Sequence, residues 1–175
     1  MKNKYSGNEL KYLKKVLNEE SGPNGTWVAS LENLFAKKFK GKYAIAMNSG
    51  TSTLHAALTA VGVGYGDEVI SPALTVMMDT TTTLHTNAKP VYVDVDKDTF
   101  NLDPEKIEEK ISSKTKAIIC VHLGGWPSEM IQIKKLAKKN NIVIIEDCSQ
   151  AHGAQINKKF VGSFGDMAIW SFCND

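Results

Sequence analysis

An α/β fold is what this sequence predicts: a three-layer α/β/α sandwich around a mainly parallel sheet. Three observations carry that expectation. Short runs rich in Val and Ile, such as KAIICVH (116–122) and IVIIED (142–147), alternate along the chain with stretches whose apolar residues recur at helical spacing. The runs are apolar almost throughout, as strands buried on both faces are, and each is followed by a helix able to cover it. Finally, 175 residues with 42% hydrophobic content are enough for one sizeable core.

The elements follow in order. Leu10, Leu13, Val16 and Leu17 predict a helix over 8–19, stopped by Ser21-Gly22-Pro23-Asn24-Gly25, and Val28, Leu31, Leu34 and Phe35 share one face of a second helix. YAIAM (43–47) reads as a strand, 51–61 as a helix, DEVIS (67–71) as a strand and about 75–86 as a helix. PVYVDV (90–95), the helix PEKIEEKI (104–111), the strand 116–122, the helix 128–139, the strand 142–147 and a last strand DMAIWS (166–171) continue the alternation. Neither an internal repeat nor a low-complexity linker interrupts it. In sheets of this kind ligands sit beyond the carboxyl ends of the strands, so chemistry is expected after 47, 71, 95, 122 and 147.

Composition narrows the function. The 21 basic and 19 acidic residues give a net charge of +2 and form only short clusters, which argues against nucleic acid. Cys120, Cys148 and Cys173 are odd in number and lie at no zinc-ligand spacing, so reduced thiols in a cytoplasmic protein are expected. The N-terminus has no apolar signal core, and no stretch approaches the roughly 18 apolar residues of a membrane span. No HExxH or clustered carboxylate pattern points to a metal, and no GxSxG elbow points to a serine hydrolase.

Four stretches carry chemistry. In NSGTSTLHAAL (48–58), Ser49, Gly50, Thr51 and Ser52 lie where a strand passes into a helix. Glycine lets the backbone approach a ligand, and free amides and hydroxyls at a helix start suit an anion such as phosphate. An ordinary Ser or Thr N-cap explains the same residues. GVGYGDEV (62–69) has the glycines of a dinucleotide fingerprint in the wrong order, between a helix and a strand, and reads as a helix C-cap and turn. IIEDCSQAHGA (144–154) ends a strand on Asp147 and then brings Gln150 and His152 into one turn. Asp147 suits an N-cap or a carboxylate held against a protonated ring nitrogen; Gln150 and His152 suit other ring substituents or a substrate. In VGSFGDMAIWSF (161–172) a glycine-rich turn leads to Ser171, a second phosphate donor if it faces Thr51.

Together with GYGDEVISPALT, AKPVYVDVD and VHLGGWPSEM, these stretches resemble, in order and spacing, the DegT/DnrJ/EryC1/StrS family of sugar aminotransferases. That family has the aspartate-aminotransferase fold, fold type I. The resemblance implies pyridoxal 5'-phosphate as cofactor, with Ser49, Gly50, Thr51 and Ser171 at its phosphate, Asp147 at the pyridine nitrogen, Gln150 near the ring hydroxyl and His152 as a cofactor or substrate contact. A carboxylate that keeps the pyridine protonated preserves the cofactor's electron sink. No metal is implied.

Two departures stand out. The family continues SFxxxK, which places the Schiff-base lysine at position 176, immediately after Asp175, so no catalytic lysine lies within the chain. Residues 1–175 are then the N-terminal part of the cofactor-binding large domain, the rest of which, with a small C-terminal domain, is expected beyond. Val76, after Thr75, stands where many relatives carry an aromatic ring that stacks on the cofactor. The implied activity is amino transfer from L-glutamate or glutamine to a nucleotide-linked keto sugar in polysaccharide biosynthesis, by a cytoplasmic homodimer without nucleic-acid or membrane partners. The alternatives are a sugar 3-dehydratase, with histidine in place of that lysine, a non-catalytic regulatory homologue, and an unrelated nucleotide-binding α/β domain.

Overall fold

The structure, a computed structural model, describes residues 7–19 and 25–173. Of the stop expected at 21–25, residues 21–24 lie outside the described residues, as do 174 and 175. The chain divides into two compact units, Met1–Ala46 and Met47–Asp175. In the first, α1 (Glu9–Asn18) and α2 (Thr26–Phe39) form where helical spacing predicts them. Tyr12 meets Trp27 edge-on, with ring centroids 6.0 Å apart. Lys40 closes α2 in the left-handed conformation, its amide returning to the Ala36 carbonyl.

The second unit is the predicted sandwich. Its sheet runs β2 (Lys89–Val93), β1 (Glu68–Pro72), β3 (Thr115–Val121), β4 (Val143–Asp147), β7 (Met167–Ile169), every neighbouring pair parallel. Successive side chains of β3 leave on opposite faces. Ile118 and Cys120 join Ile70, Ile144, Ile107 of α5 (Pro104–Lys110), and Met130 and Ile133 of α6 (Met130–Asn140) in one core layer. Ala117, Ile119 and Val121 join Val69, Ile145, Ile169, and Leu54 and Leu58 of α3 (Gly50–Ala60) in the other. Complete burial of each Leu or Ile is worth about 1.5–3 kcal/mol, which is why the strands read as unbroken apolar runs. Helix α4 (Met78–His85) packs beside α3 and over β1 and β2.

Three readings need correction. YAIAM (43–47) is not a strand: Tyr43, Ile45 and Met47 are exposed, and the Ala46 amide goes to the Glu32 carboxylate at 2.8 Å. A strand exists by pairing, and no described strand pairs with this segment. Helix α4 starts at Met78 rather than near 75, because Thr75 turns its hydroxyl to Asp79 at 2.6 Å. The last strand ends at Ile169, two residues before Ser171. A short antiparallel hairpin, β5 (Gln155–Ile156) with β6 (Lys159–Phe160), was not anticipated. Its turn residues Asn157 and Lys158 both have positive φ, as a two-residue type I′ hairpin requires. The glycines of 62–69 do form a turn, with Gly62 and Gly66 at positive φ and the Gly64 amide on Asp67 Oδ2. Among the described residues no helix is long and apolar enough to cross a membrane.

Candidate active site

The carboxyl ends of β4 and β7 bring the expected site residues together. Ser49 is the N-cap of α3, its hydroxyl accepting the Ser52 amide at 3.1 Å, and its carbonyl accepts the Thr53 amide. The N-cap reading of this stretch is therefore correct for Ser49. It does not exhaust the helix start, because the amides of Gly50 and Thr51 have no acceptor among the described residues. These are the donors a helix N-terminus presents to an anion.

Ser171 reaches the same place from β7. A Cβ built on Gly50 stands 2.9 Å from the Ser171 Cβ and 3.2 Å from its Oγ. The φ of Gly50 is not positive, so glycine is required here by proximity rather than by backbone conformation. The two halves of the expected phosphate site, about 120 residues apart in sequence, are thus in direct contact. The Ser171 hydroxyl also accepts the Cys173 amide at 3.1 Å, which fixes its oxygen and leaves its hydrogen to donate.

Asp147 ends β4, in register with Val121 on one side and Ile169 on the other, and is 5% exposed. No helix starts there, so it is not an N-cap. Its Oδ1 accepts the Ser149 amide at 2.9 Å, and its Oδ2 has no donor among the described residues. Gln150 is exposed, and its Oε1 accepts the Gly124 amide at 2.8 Å, pinning the loop after β3 to the loop after β4. His152 is exposed and lies against the Phe172 ring, centroids 5.8 Å apart. Val76 is exposed, just ahead of α4.

Sequence reading missed what holds this edge in place. His122, Glu146 and Cys148 are buried together, their ligand-type atoms within 4.8 Å of one another. Glu146 Oε1 accepts the Phe164 and Gly165 amides at 2.7 and 2.6 Å, and Oε2 accepts the Gly162 amide at 2.8 Å and faces His122 Nε2 at 3.1 Å. Because His122 Nδ1 accepts the Ser128 amide at 3.0 Å, the ring hydrogen is on Nε2 and donates to Glu146. Burial works against the charge on Glu146, but the His122 hydrogen bond and the Gly165 and Gly162 amides outweigh it and hold the carboxyl below its usual range. One carboxylate thus ties the turn that precedes β7, and with it Ser171, to the strand that carries Asp147. Burial pushes both the Cys120 and Cys148 thiols up, away from reactivity.

On one edge of a wholly parallel sheet, the open start of α3 lies against Ser171 and a buried acid ends β4, an arrangement that suits the cofactor site of a fold-type-I, pyridoxal-phosphate-type protein. The comparisons agree. The sequence matches the DegT/DnrJ/EryC1/StrS aminotransferase family over residues 3–175, and the chain belongs to that family. It is 42% identical over 168 residues to the GDP-perosamine synthase of Escherichia coli O157:H7, covering 95% of this chain and 46% of that protein. The crystal structure of an aminotransferase from Psychrobacter cryohalolentis superposes with a TM-score of 0.93 at 42% identity, over 98% of this chain and 44% of that one. The PLP form of a sugar aminotransferase from Streptococcus pneumoniae does so with a TM-score of 0.92 at 28% identity, over 97% of this chain and 47% of that one. The chain therefore spans less than half the length of these relatives.

The residues present fit the family's cofactor, pyridoxal 5'-phosphate. Two unclaimed amides and a serine hydroxyl meet where a Cβ at position 50 would press on Ser171, and that donor set suits a phosphate. A buried acid whose second oxygen has no donor among the described residues suits a protonated ring nitrogen.

Proposed function

We propose that residues 1–175 are the N-terminal part of the cofactor-binding domain of a pyridoxal-phosphate-dependent aminotransferase. It transfers an amino group from L-glutamate or glutamine to a nucleotide-linked keto sugar. The observation that supports this most is the contact of Gly50 with Ser171 on the sheet edge that carries Asp147. When bound, the cofactor supplies an electron sink for a carbanion.

The chain's own residues do the rest. Gly50, Thr51 and Ser171 bind the phosphate, while Ser49 holds the helix start in shape. Asp147, its Oδ1 fixed by the Ser149 amide, presents Oδ2 to the ring nitrogen and keeps its proton in place. Gln150, which holds the loop after β3 through Gly124, lies near the ring hydroxyl, and His152, exposed beside Phe172, contacts cofactor or substrate. A lysine at position 176, one residue beyond Asp175, is the base that moves the proton at the donor's alpha carbon. The working enzyme is a homodimer.

Two measurements on the intact polypeptide test the reading. Peptide mass mapping after borohydride reduction is expected to find cofactor fixed to a lysine directly after Asp175. Histidine there, with no adduct, would mark a 3-dehydratase instead. Incubation with a nucleotide keto sugar and glutamate is expected to yield the amino sugar by mass spectrometry. A protein that binds cofactor but aminates no keto sugar is a regulatory homologue, and the aminotransferase reading falls.

A further inference from the structure

One carboxyl group near the site has no part in the function proposed above. Asp79, in the first turn of α4, is fully buried. Its Oδ2 accepts the Thr75 hydroxyl at 2.6 Å, whereas its Oδ1 is buried without a hydrogen-bond partner. An orphaned buried acceptor is uncommon in a folded protein, since leaving one unpaired costs about as much as losing a hydrogen bond. A helix N-terminus favours a carboxylate, but it does not supply the missing donor.

Electrostatics point the same way. Burial pushes Asp79 up to about 7 against the lowering effect of the Thr75 hydrogen bond, and the negative charge of Asp147 adds to the rise. No other titratable group around α4 takes that part. Tyr92 on β2 is engaged by Thr80 at 2.9 Å, His55 of α3 faces His85 with ring centroids 5.8 Å apart, and Glu68 pairs with Lys89 at 3.0 Å. Asp79 follows the carboxyl end of β1 as Asp147 ends β4, so both lie at the ligand-binding edge of the sheet.

We propose that Asp79 is a second acid of the cofactor site, carrying a proton while Asp147 has no cationic partner and releasing it when a protonated pyridine ring is seated there. The Asp79 O–H bond breaks, its electron pair stays on the carboxylate, and the proton passes to solvent. Two buried carboxyl groups that feel one another's charge do not both ionise cheaply, and a cation paired with Asp147 removes that reason for Asp79 to stay neutral. Asp79 is thus a positioning residue for charge: it limits the negative charge of the empty site and adds to it when the cofactor is bound. The inference rests on the proposed cofactor.

The test is isothermal titration of pyridoxal phosphate into the intact apo-polypeptide at pH 6.5, in two buffers of different ionisation enthalpy, so that released protons are counted. The cofactor's own ionisations cancel when Asp79→Asn is measured alongside. The parent is expected to release roughly one proton more than Asp79→Asn, and the excess to vanish by pH 8.5. Thr75→Val, which removes the hydrogen bond that lowers Asp79, is expected to move that vanishing point to higher pH even if Asp79→Asn folds poorly. Equal proton release in parent and Asp79→Asn, or no movement in Thr75→Val, overturns the role of Asp79 and leaves the cofactor reading standing. Absence of binding by the parent overturns both.

Discussion

Gly50 offers the most direct test of the site, because substitution there adds a single methyl group. In Gly50→Ala the new Cβ would stand 2.9 Å from the Ser171 Cβ. Carbon atoms rest at about 3.5–4.0 Å, so at least ~0.6 Å must be found by moving α3 or Ser171. Overpacking of this kind costs about 1–3 kcal/mol, offset in part by up to ~1 kcal/mol for replacing a helical glycine. Stability should therefore fall by about 0–3 kcal/mol. Binding should suffer more, because displacing Ser171 or the two amides removes a hydrogen bond to a charged phosphate, worth about 1.5–3 kcal/mol. That is a ~10- to 150-fold weaker Kd for pyridoxal phosphate, read by absorbance titration of the intact apo-polypeptide. The double variant Gly50→Ala/Ser171→Gly removes the opposing Cβ and should recover most of the stability. It should not recover the affinity, because the hydroxyl is gone. Gly50→Ala binding pyridoxal phosphate within about twofold of the parent would refute the contact as a phosphate cradle.

Three further outcomes are expected. Asp147→Asn keeps the Ser149 contact but withdraws the charge, so the fold should survive while amino transfer drops by at least ~100-fold, checked by single-turnover absorbance. Glu146→Gln sets an amide N–H₂ against backbone or imidazole donors and should cost about 3 kcal/mol in urea denaturation. Because the folded carboxyl of Glu146 lies below its usual 4.5, the unfolded chain takes up the proton first. Its stabilisation is complete above that value and is lost as pH falls below it, so the variant should show a shallower loss of stability in that acid range than the parent. Among the three cysteines only Cys173 is exposed, so maleimide on the native protein should label Cys173 and spare Cys120 and Cys148, as peptide mapping would show.

What could be read from sequence and what could not divide along one physical line. β3 and β4 were legible because burial on both faces imposes an apolar run on each strand by itself. The phosphate cup was legible because Gly, Ser and Thr at a helix start have a local meaning, and Asp147 because an acid closing an apolar strand is locally unusual. YAIAM has the same local signature as a strand, yet it pairs with none described, since strand identity rests on a partner that the segment does not encode. The same reason hid Glu146, whose four donors come from His122, Gly162, Phe164 and Gly165, and Asp79 of α4, which feels the charge of Asp147 at the end of β4. In IIEDCSQAHGA the two acids look alike as letters, but opposite sides of the strand separate them. Glu146 is spent on four protein donors and can only position, whereas Asp147 keeps an oxygen with no donor among the described residues, the acceptor that the proposed function assigns to a cation.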